Sequence, residues 1–474
     1  MANPNLSAEI PAELVAKVED IVQRAFPSSV AELGKLVRIP GLAWPSFDPE
    51  NLEASARAVA GLIDGTGLFE KVHILRSKYT DETTGKELVG APAVVARRDA
   101  ANGAPQVLLY AHHDVQPPGD ETIWKTPAFE PTLVNGRIYG RGAADDKAGI
   151  MVHVTALNVL RELLGDKPDL GVTVFIEGEE EYGSPSFSAF LQEHKALLQA
   201  DVIVVADSGN WTSDIPALTT TLRGMTSVEF TVSTLDHAVH SGMYGGLVPD
   251  AMTAMLRTLA SLHAADGSVA IEGLVSGVAD DIDYGDDLAR TDSGILDGVD
   301  FIGSGSIVDR LWAKPAVTVI GIDAVSVEKS SNTLLPSIHA KVSLRLAPGD
   351  TAENGLARLK EHLAKNLPFG ARIEFGAIEQ GKGYKADTDG WAAQLVKAAL
   401  GAAFPNPAIE MGIGGSIPFI AELVDTFPAA QILVTGVEDA DSRAHSPNES
   451  VDLLGLQRAM VAEALLLVAG NDRR

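Results

Sequence analysis

The stretch "QVLLYAHHDVQPPGD", Gln106 to Asp120, runs an apolar segment straight into two histidines and an aspartate. So short a run, closed by a Pro-Pro-Gly turn signal, reads as a strand buried on both faces, as in parallel sheets covered by helices. Two more runs have the same form. "VTVFI", Val172–Ile176, enters "EGEEEYGS", Glu177 to Ser184, and "VIVVA", Val202–Ala206, enters Asp207. A fourth, "QILVT", Gln431–Thr435, leads through a loop into "DSRAHSPNES", which contains His445. Helical patterning over 13–38, 50–64, Lys147–Leu164, Ser186–Ala200, 390–403 and 450–469 alternates with these strands. The alternation predicts an α/β domain with a mixed, largely parallel sheet flanked by helices.

Between about 217 and 383 the order changes. Strand Thr226–Ser233, helix Pro249–His263, strands 316–323 and 337–346, helix Thr351–Lys365 and strand Ala371–Phe375 follow in sequence. That is the βαββαβ order of a ferredoxin-like domain. We therefore expect a discontinuous first domain, 1–216 and 384–474, with a second domain, 217–383, inserted into it. The acidic, turn-rich segment 266–312 reads as an excursion without assigned chemistry.

Composition bounds the function. Hydrophobic residues make up 46% and charged residues 21% of 474, as in a soluble globular protein. A formal charge of −27 argues against nucleic-acid binding, which needs a basic surface to displace counterions. The absence of cysteine excludes disulfides, thiolate metal sites and cysteine nucleophiles. The N-terminus shows no basic and apolar signal pattern, and no run of about 18 apolar residues occurs, so we expect no membrane span and a cytoplasmic setting.

Ligands of open α/β sheets bind beyond the carboxyl ends of the strands. His112, Asp114, the Glu177–Glu181 segment, Asp207 and His445 all follow such ends. The loop "GRGAADDKAG", Gly140 to Gly149, adds Asp145 and Asp146 at the start of a helix. Any one of these is commonplace as a cap or a solvated acidic loop; their convergence on successive buried strands is not. Carboxylates mixed with imidazole, without sulfur, suit Zn²⁺, Mn²⁺ or Co²⁺. The donors are too many for one tetrahedral ion and suit two. Between the adjacent histidines, strand alternation turns His112 and Asp114 one way and His113 the other. A ligating histidine commonly gives its second ring N–H to a carboxylate, so Asp114 is placed to orient His112, while His113 packs or caps nearby.

"HHDVQP", "GRGAADDKAG", "EGEEEYGS", "VADSGN", "HSGMYGG", "GGSIP" and "AHSPNE" occur in this order from Ala111 to Glu449. The set resembles the dinuclear metallopeptidase family of carnosinase, cytosolic nonspecific dipeptidase, aminoacylase, acetylornithine deacetylase and succinyl-diaminopimelate desuccinylase, and looks most like the carnosinase-like dipeptidase branch. The resemblance implies that His112 binds one ion with Asp114 behind it, and that Asp145 bridges two. It implies Glu180 as general base, Glu181 as a ligand with His445 on the second ion, and Asp207 on the ion of His112. It makes the inserted domain a lid and dimerisation domain whose His240 reaches the active site of the partner subunit to hold the oxyanion. Thr333, Arg345 and Ser416 match substrate-holding positions, with Arg345 suited to a C-terminal carboxylate because its fork of donors grips two oxygens. Where the branch usually carries Arg-Glu before "GGSIP", this chain has Gly412-Ile413.

The expected activity is therefore hydrolysis of dipeptides by a homodimer. Water activated between two divalent ions, Zn²⁺ first with Mn²⁺ or Co²⁺ as alternatives, would attack with Glu180 as base. An N-acyl-amino-acid deacylase or desuccinylase would use the same centre and differ only in the groups gripping the substrate ends. A non-catalytic metal-binding protein is the third reading, against which the presence of Glu180 beside a full ligand set counts.

Overall fold

The computed structural model describes residues 10–81, 84–279, 282–415 and 418–473. Packing divides the chain into two compact units. One comprises the described parts of Met1–Thr220, Ala386–Met411 and Glu422–Arg474; the other comprises those of Thr221–Lys385 and Gly412–Ala421.

In the first unit the apolar runs are strands. Gly171–Glu177, Gln106–His112, Val202–Val205 and Gln431–Val434 lie side by side in that order, all parallel. Antiparallel strands flank them: Ala93–Arg98 and then Val72–Leu75 on one side, Ala217–Leu222 on the other. The mixed α/β fold expected from the sequence is the one observed. Every residue of Gln106–His112 and Gly171–Glu177 is buried, which is why they lack an alternating pattern. Val107, Leu109 and Ala111 share a core with helices Ala12–Val37, Lys147–Leu164 and Leu453–Gly470. Tyr110 and Phe175 meet edge to face, 5.5 Å between ring centroids, in an aromatic cluster with Phe187 and Phe190.

Buried polar groups on these helices are matched. Lys147 donates through Nζ to the carbonyls of Leu36 and Ile39, 2.9 and 2.8 Å away, completing the end of helix Ala12–Val37. Helix Leu453–Gly470 is long and apolar enough by composition to cross a membrane, although Gln457, Arg458 and Glu463 interrupt its apolar run. Most of it is buried in this unit, where Glu463 meets His153 at 2.7 Å. It is a core helix. The helix expected over Ser186–Ala200 is broken at His194 into Phe187–Glu193 and Lys195–Leu198, the His194 ring packing on Phe190.

The second unit has the βαββαβ order. Its sheet runs Ala316–Asp323, Ser337–Leu346, Gly224–Ser233, Arg372–Gly381, antiparallel throughout. Helices Ala251–Ala260 and Ala352–Lys365 share a core with Val228, Phe230, Val232 and Leu344. The first helix starts two residues later than expected because Asp250 caps it, accepting from the Thr253 N–H at 3.1 Å. The last strand continues past Phe375 because Gly376 sits in a bulge, where the register shifts between Val228 and Phe230.

Candidate metal centre

His112 ends its strand directly beside Glu177 in the parallel register, and its ring is fully buried. Nε2 lies 3.0 Å from Asp145 Oδ1 and 3.8 Å from Asp207 Oδ1. Nδ1 faces residue 114, whose main-chain carbonyl is at 3.1 Å and carboxylate at 3.4 Å. The carboxylate alone was expected here; the main-chain oxygen is the nearer partner. The reason is that both Asp114 carboxylate oxygens accept from the backbone N–H groups of Glu180 and Glu181, each at 3.1 Å. Asp114 thus ties the His112 strand end to the glutamate loop. His113 points elsewhere, its Nε2 2.7 Å from the Pro92 carbonyl, and burial lowers its pKa to about 4, so it stays neutral.

The "EGEEE" segment divides its labour. Glu177 accepts from the Tyr110 hydroxyl at 2.6 Å, and burial pushes its carboxyl up to about 8. Glu179 shapes the loop by accepting from the backbone N–H groups of Ala91 and Ser186, both at 2.8 Å. Glu181 accepts from Gln116 N and Nε2 at 3.1 and 2.8 Å. Burial and the nearby Asp207 raise the Glu180 carboxyl well above the ordinary range.

Asp145 stands between two imidazoles. Its Oδ1 faces His112 and its Oδ2 lies 3.0 Å from His445 Nε2, which is also 3.2 Å from Glu181 Oε2. Despite burial, the two rings hold Asp145 below the ordinary carboxylate range, and Asp145 with Glu181 pushes His445 up to about 11. Burial alone would lower His112, but Asp114, Asp145 and Asp207 outweigh it and raise it. Asp146 accepts from the His112 N–H at 3.2 Å, a position open only because residue 149 is glycine: a Cβ there would fall 2.1 Å from Asp146 Oδ1.

Two triads result. Donor atoms of His112, Asp146 and Asp207 lie within 4.8 Å of one another, as do those of Asp145, Glu181 and His445. So many carboxylates crowded around two imidazoles repel one another unless cations lie among them. All donors are oxygen or imidazole nitrogen, which fits hard to borderline divalent ions.

Two carboxylates here went unassigned in the sequence. Glu449 accepts from Arg141 Nη1 at 2.6 Å and from the N–H groups of Gly142, Ala144 and Asp145 at 3.0, 2.9 and 3.1 Å. The pairing Ser450↔Tyr139 brings it there. Its signal was its place inside the "AHSPNE" motif. Glu438 follows the strand next to that of Asp207, its carbonyl accepting from Asn210 N–H at 2.7 Å. Burial, then Asp145 and Asp207, raise its carboxyl.

In the second unit His240 pairs with Thr333 across a short antiparallel ladder, both exposed. His240 Nδ1 accepts from Gly242 N–H at 3.0 Å, and Thr333 Oγ1 is 2.8 Å from Ser331 Oγ. Arg345 lies opposite Met225 and Ala316 in the four-stranded sheet. Ser416 lies outside the described residues. At Gly412 a Cβ would be 2.5 Å from Trp312 Cβ, so any side chain there requires Trp312 to shift.

The model described as Peptidase family M20/M25/M40 matches residues 108–468. The Cysteinylglycine-S-conjugate dipeptidase of Corynebacterium striatum is 34% identical over 393 residues, spanning 82% of this chain and 86% of that protein. The solved structure of the di-peptidase Dug1p from Saccharomyces cerevisiae has a TM-score of 0.73 at 20% identity, covering 97% of this chain and 99% of that one. Human carnosine dipeptidase 1 gives 0.73 at 21% identity, covering 98% and 100%. At these identities the two structures speak for the fold alone.

Proposed function

Because the chain belongs to peptidase family M20/M25/M40 and is a metallohydrolase, we propose that it is a dipeptidase with a two-metal centre. The observation that carries this is the pair of triads joined through Asp145, a member of the second, whose two oxygens face one imidazole each. A relative at 34% identity that is itself a dipeptidase supports the substrate class.

His112, Asp146 and Asp207 would hold one ion and Glu181 and His445 the other, with Asp145 between them; Zn²⁺ is the first choice, Mn²⁺ or Co²⁺ the alternatives. Such ions lower the pKa of water toward about 7 and polarise a carbonyl. Glu180 would take the proton of the attacking water and hand it to the leaving amine. Asp114 positions Glu180 through its backbone and His112 through its ring. In the second unit we assign His240 to the oxyanion, in the site of a partner subunit, and Thr333 and Arg345 to the substrate, with Arg345 on the C-terminal carboxylate; we assign Ser416 to the substrate as well. That unit serves as lid and dimerisation domain in this account, and its exposed Met243, Leu247 and Val327 (73, 79 and 92% exposed) support a homodimer. We keep the cytoplasm as the enzyme's setting, as expected from the sequence.

Glu180→Gln tests the assignment. It should lower kcat by about 10²–10⁴ while leaving the bound-metal content unchanged. Wild-type turnover by this variant would remove Glu180 from the role of base.

A further inference from the structure

Within the second unit a cavity of about 550 Å³ opens between the strand Ala316–Asp323 and the segment that the sequence marked only as an excursion. That volume is in the range of small-molecule clefts, about 300–1,000 Å³. Among the described residues no carboxylate lines it, although the chain carries 64 acidic against 37 basic residues. Arg223, Arg310 and Lys314 line it instead, beside apolar Ile271 and Phe301.

The hydrogen bonds of these cations go to neutral groups. Arg310 donates to the carbonyls of Gly305 and Ile302, and Lys314 to that of Ser304. The carboxylate of the nearby Asp309 accepts from the N–H groups of Ala279 and Ser306 and also feels the charge of Lys314, so the uncompensated cation is Arg223. Arg223 is only 5% exposed; it donates through Nη2 to the Arg310 carbonyl, and its Nε has no partner. Burial and the neighbouring Arg345 bring its pKa down to about 10. A buried cation without a counter-charge is costly, and an anion entering the cavity would remove that cost.

We propose that this cavity binds a small organic anion, a carboxylate carried on an apolar body, with none of the metal-centre residues in its wall. The apolar residues take the body and the three cations take the head.

Isothermal titration calorimetry of the metal-loaded full chain with sodium octanoate, octan-1-ol and octylamine tests this. Octanoate should bind once per chain, and at least about tenfold more tightly than either of the others. The double variant Arg310→Ala/Lys314→Ala should weaken octanoate by a similar factor while dipeptide hydrolysis persists. Since those side chains also hold loop carbonyls, Ser276→Trp provides the second arm: it fills the cavity, keeps the cations and should abolish binding. Octanoate affinity unchanged in both variants, octan-1-ol binding as tightly as octanoate, or no octanoate binding would each overturn the proposal.

Discussion

His112 and His113 are neighbours and equally buried, yet burial does opposite things to them. His113 meets one neutral carbonyl, so desolvation wins and the ring stays neutral; His112 meets carboxylates, which overcome the same desolvation. That the two rings face opposite ways was legible from strand alternation, because a two-residue period needs no tertiary knowledge; preferring His112 also took Asp114 on its face. The partner atoms were not legible: that Asp114 would spend its carboxylate on two backbone N–H groups depends on where a loop 66 residues away comes to rest. Glu438 and Glu449 went unassigned for the same reason, whereas Asp146 was already a candidate beside Asp145. His112→Ala should lose at least one of two bound ions by elemental analysis, with activity falling accordingly. His113→Ala should keep both ions and instead cost about 1–3 kcal/mol of stability in urea unfolding, the price of an unpaired buried carbonyl and lost packing. Full metal content in His112→Ala would contradict the ligand assignment.

At the scale of elements, the helices Lys147–Leu164 and Leu453–Gly470 are joined by a buried pair, His153 Nδ1 to Glu463 Oε1 at 2.7 Å. Burial works to lower the His153 pKa, but Glu463 and the Tyr110 carbonyl outweigh it, so the folded pKa is raised. The protonated ring therefore stabilises the fold. That contribution is fully present below the unfolded pKa of about 6.5 and is lost as pH rises through the higher folded value. The stability difference between the wild type and His153→Gln should accordingly be largest below about pH 6.5 and shrink above it, measured by urea unfolding of metal-loaded protein. A difference that does not vary with pH would contradict this. Strands such as Gln106–His112 were legible because complete burial demands an unbroken apolar run. The sheet Thr132–Val134, Arg137–Tyr139 and Ser450–Asp452, which delivers Glu449, was not: three-residue strands carry no periodicity.

At the scale of the whole molecule, element order made the βαββαβ unit legible, whereas segment 266–312 was opaque because its folding rests on contacts such as Arg310 with the Gly305 carbonyl and not on a repeating pattern. The exposed Met243, Leu247 and Val327 lead us to expect a dimer by light scattering after size exclusion; a fully active monomer would remove His240 from the partner's reaction. The central claim is a metal-dependent dipeptidase, and one measurement reaches it most directly. Chelated enzyme is assayed on Ala-Ala, Leu-Gly, β-alanyl-histidine, Ala-Ala-Ala, N-acetyl-methionine and N-acetylornithine, before and after addition of Zn²⁺, Mn²⁺ or Co²⁺. The account predicts no cleavage before addition and metal-restored cleavage confined to free dipeptides. Restored cleavage of the acylated amino acids alone would keep the centre and overturn the substrate, and undiminished activity in the chelated protein would contradict the centre itself.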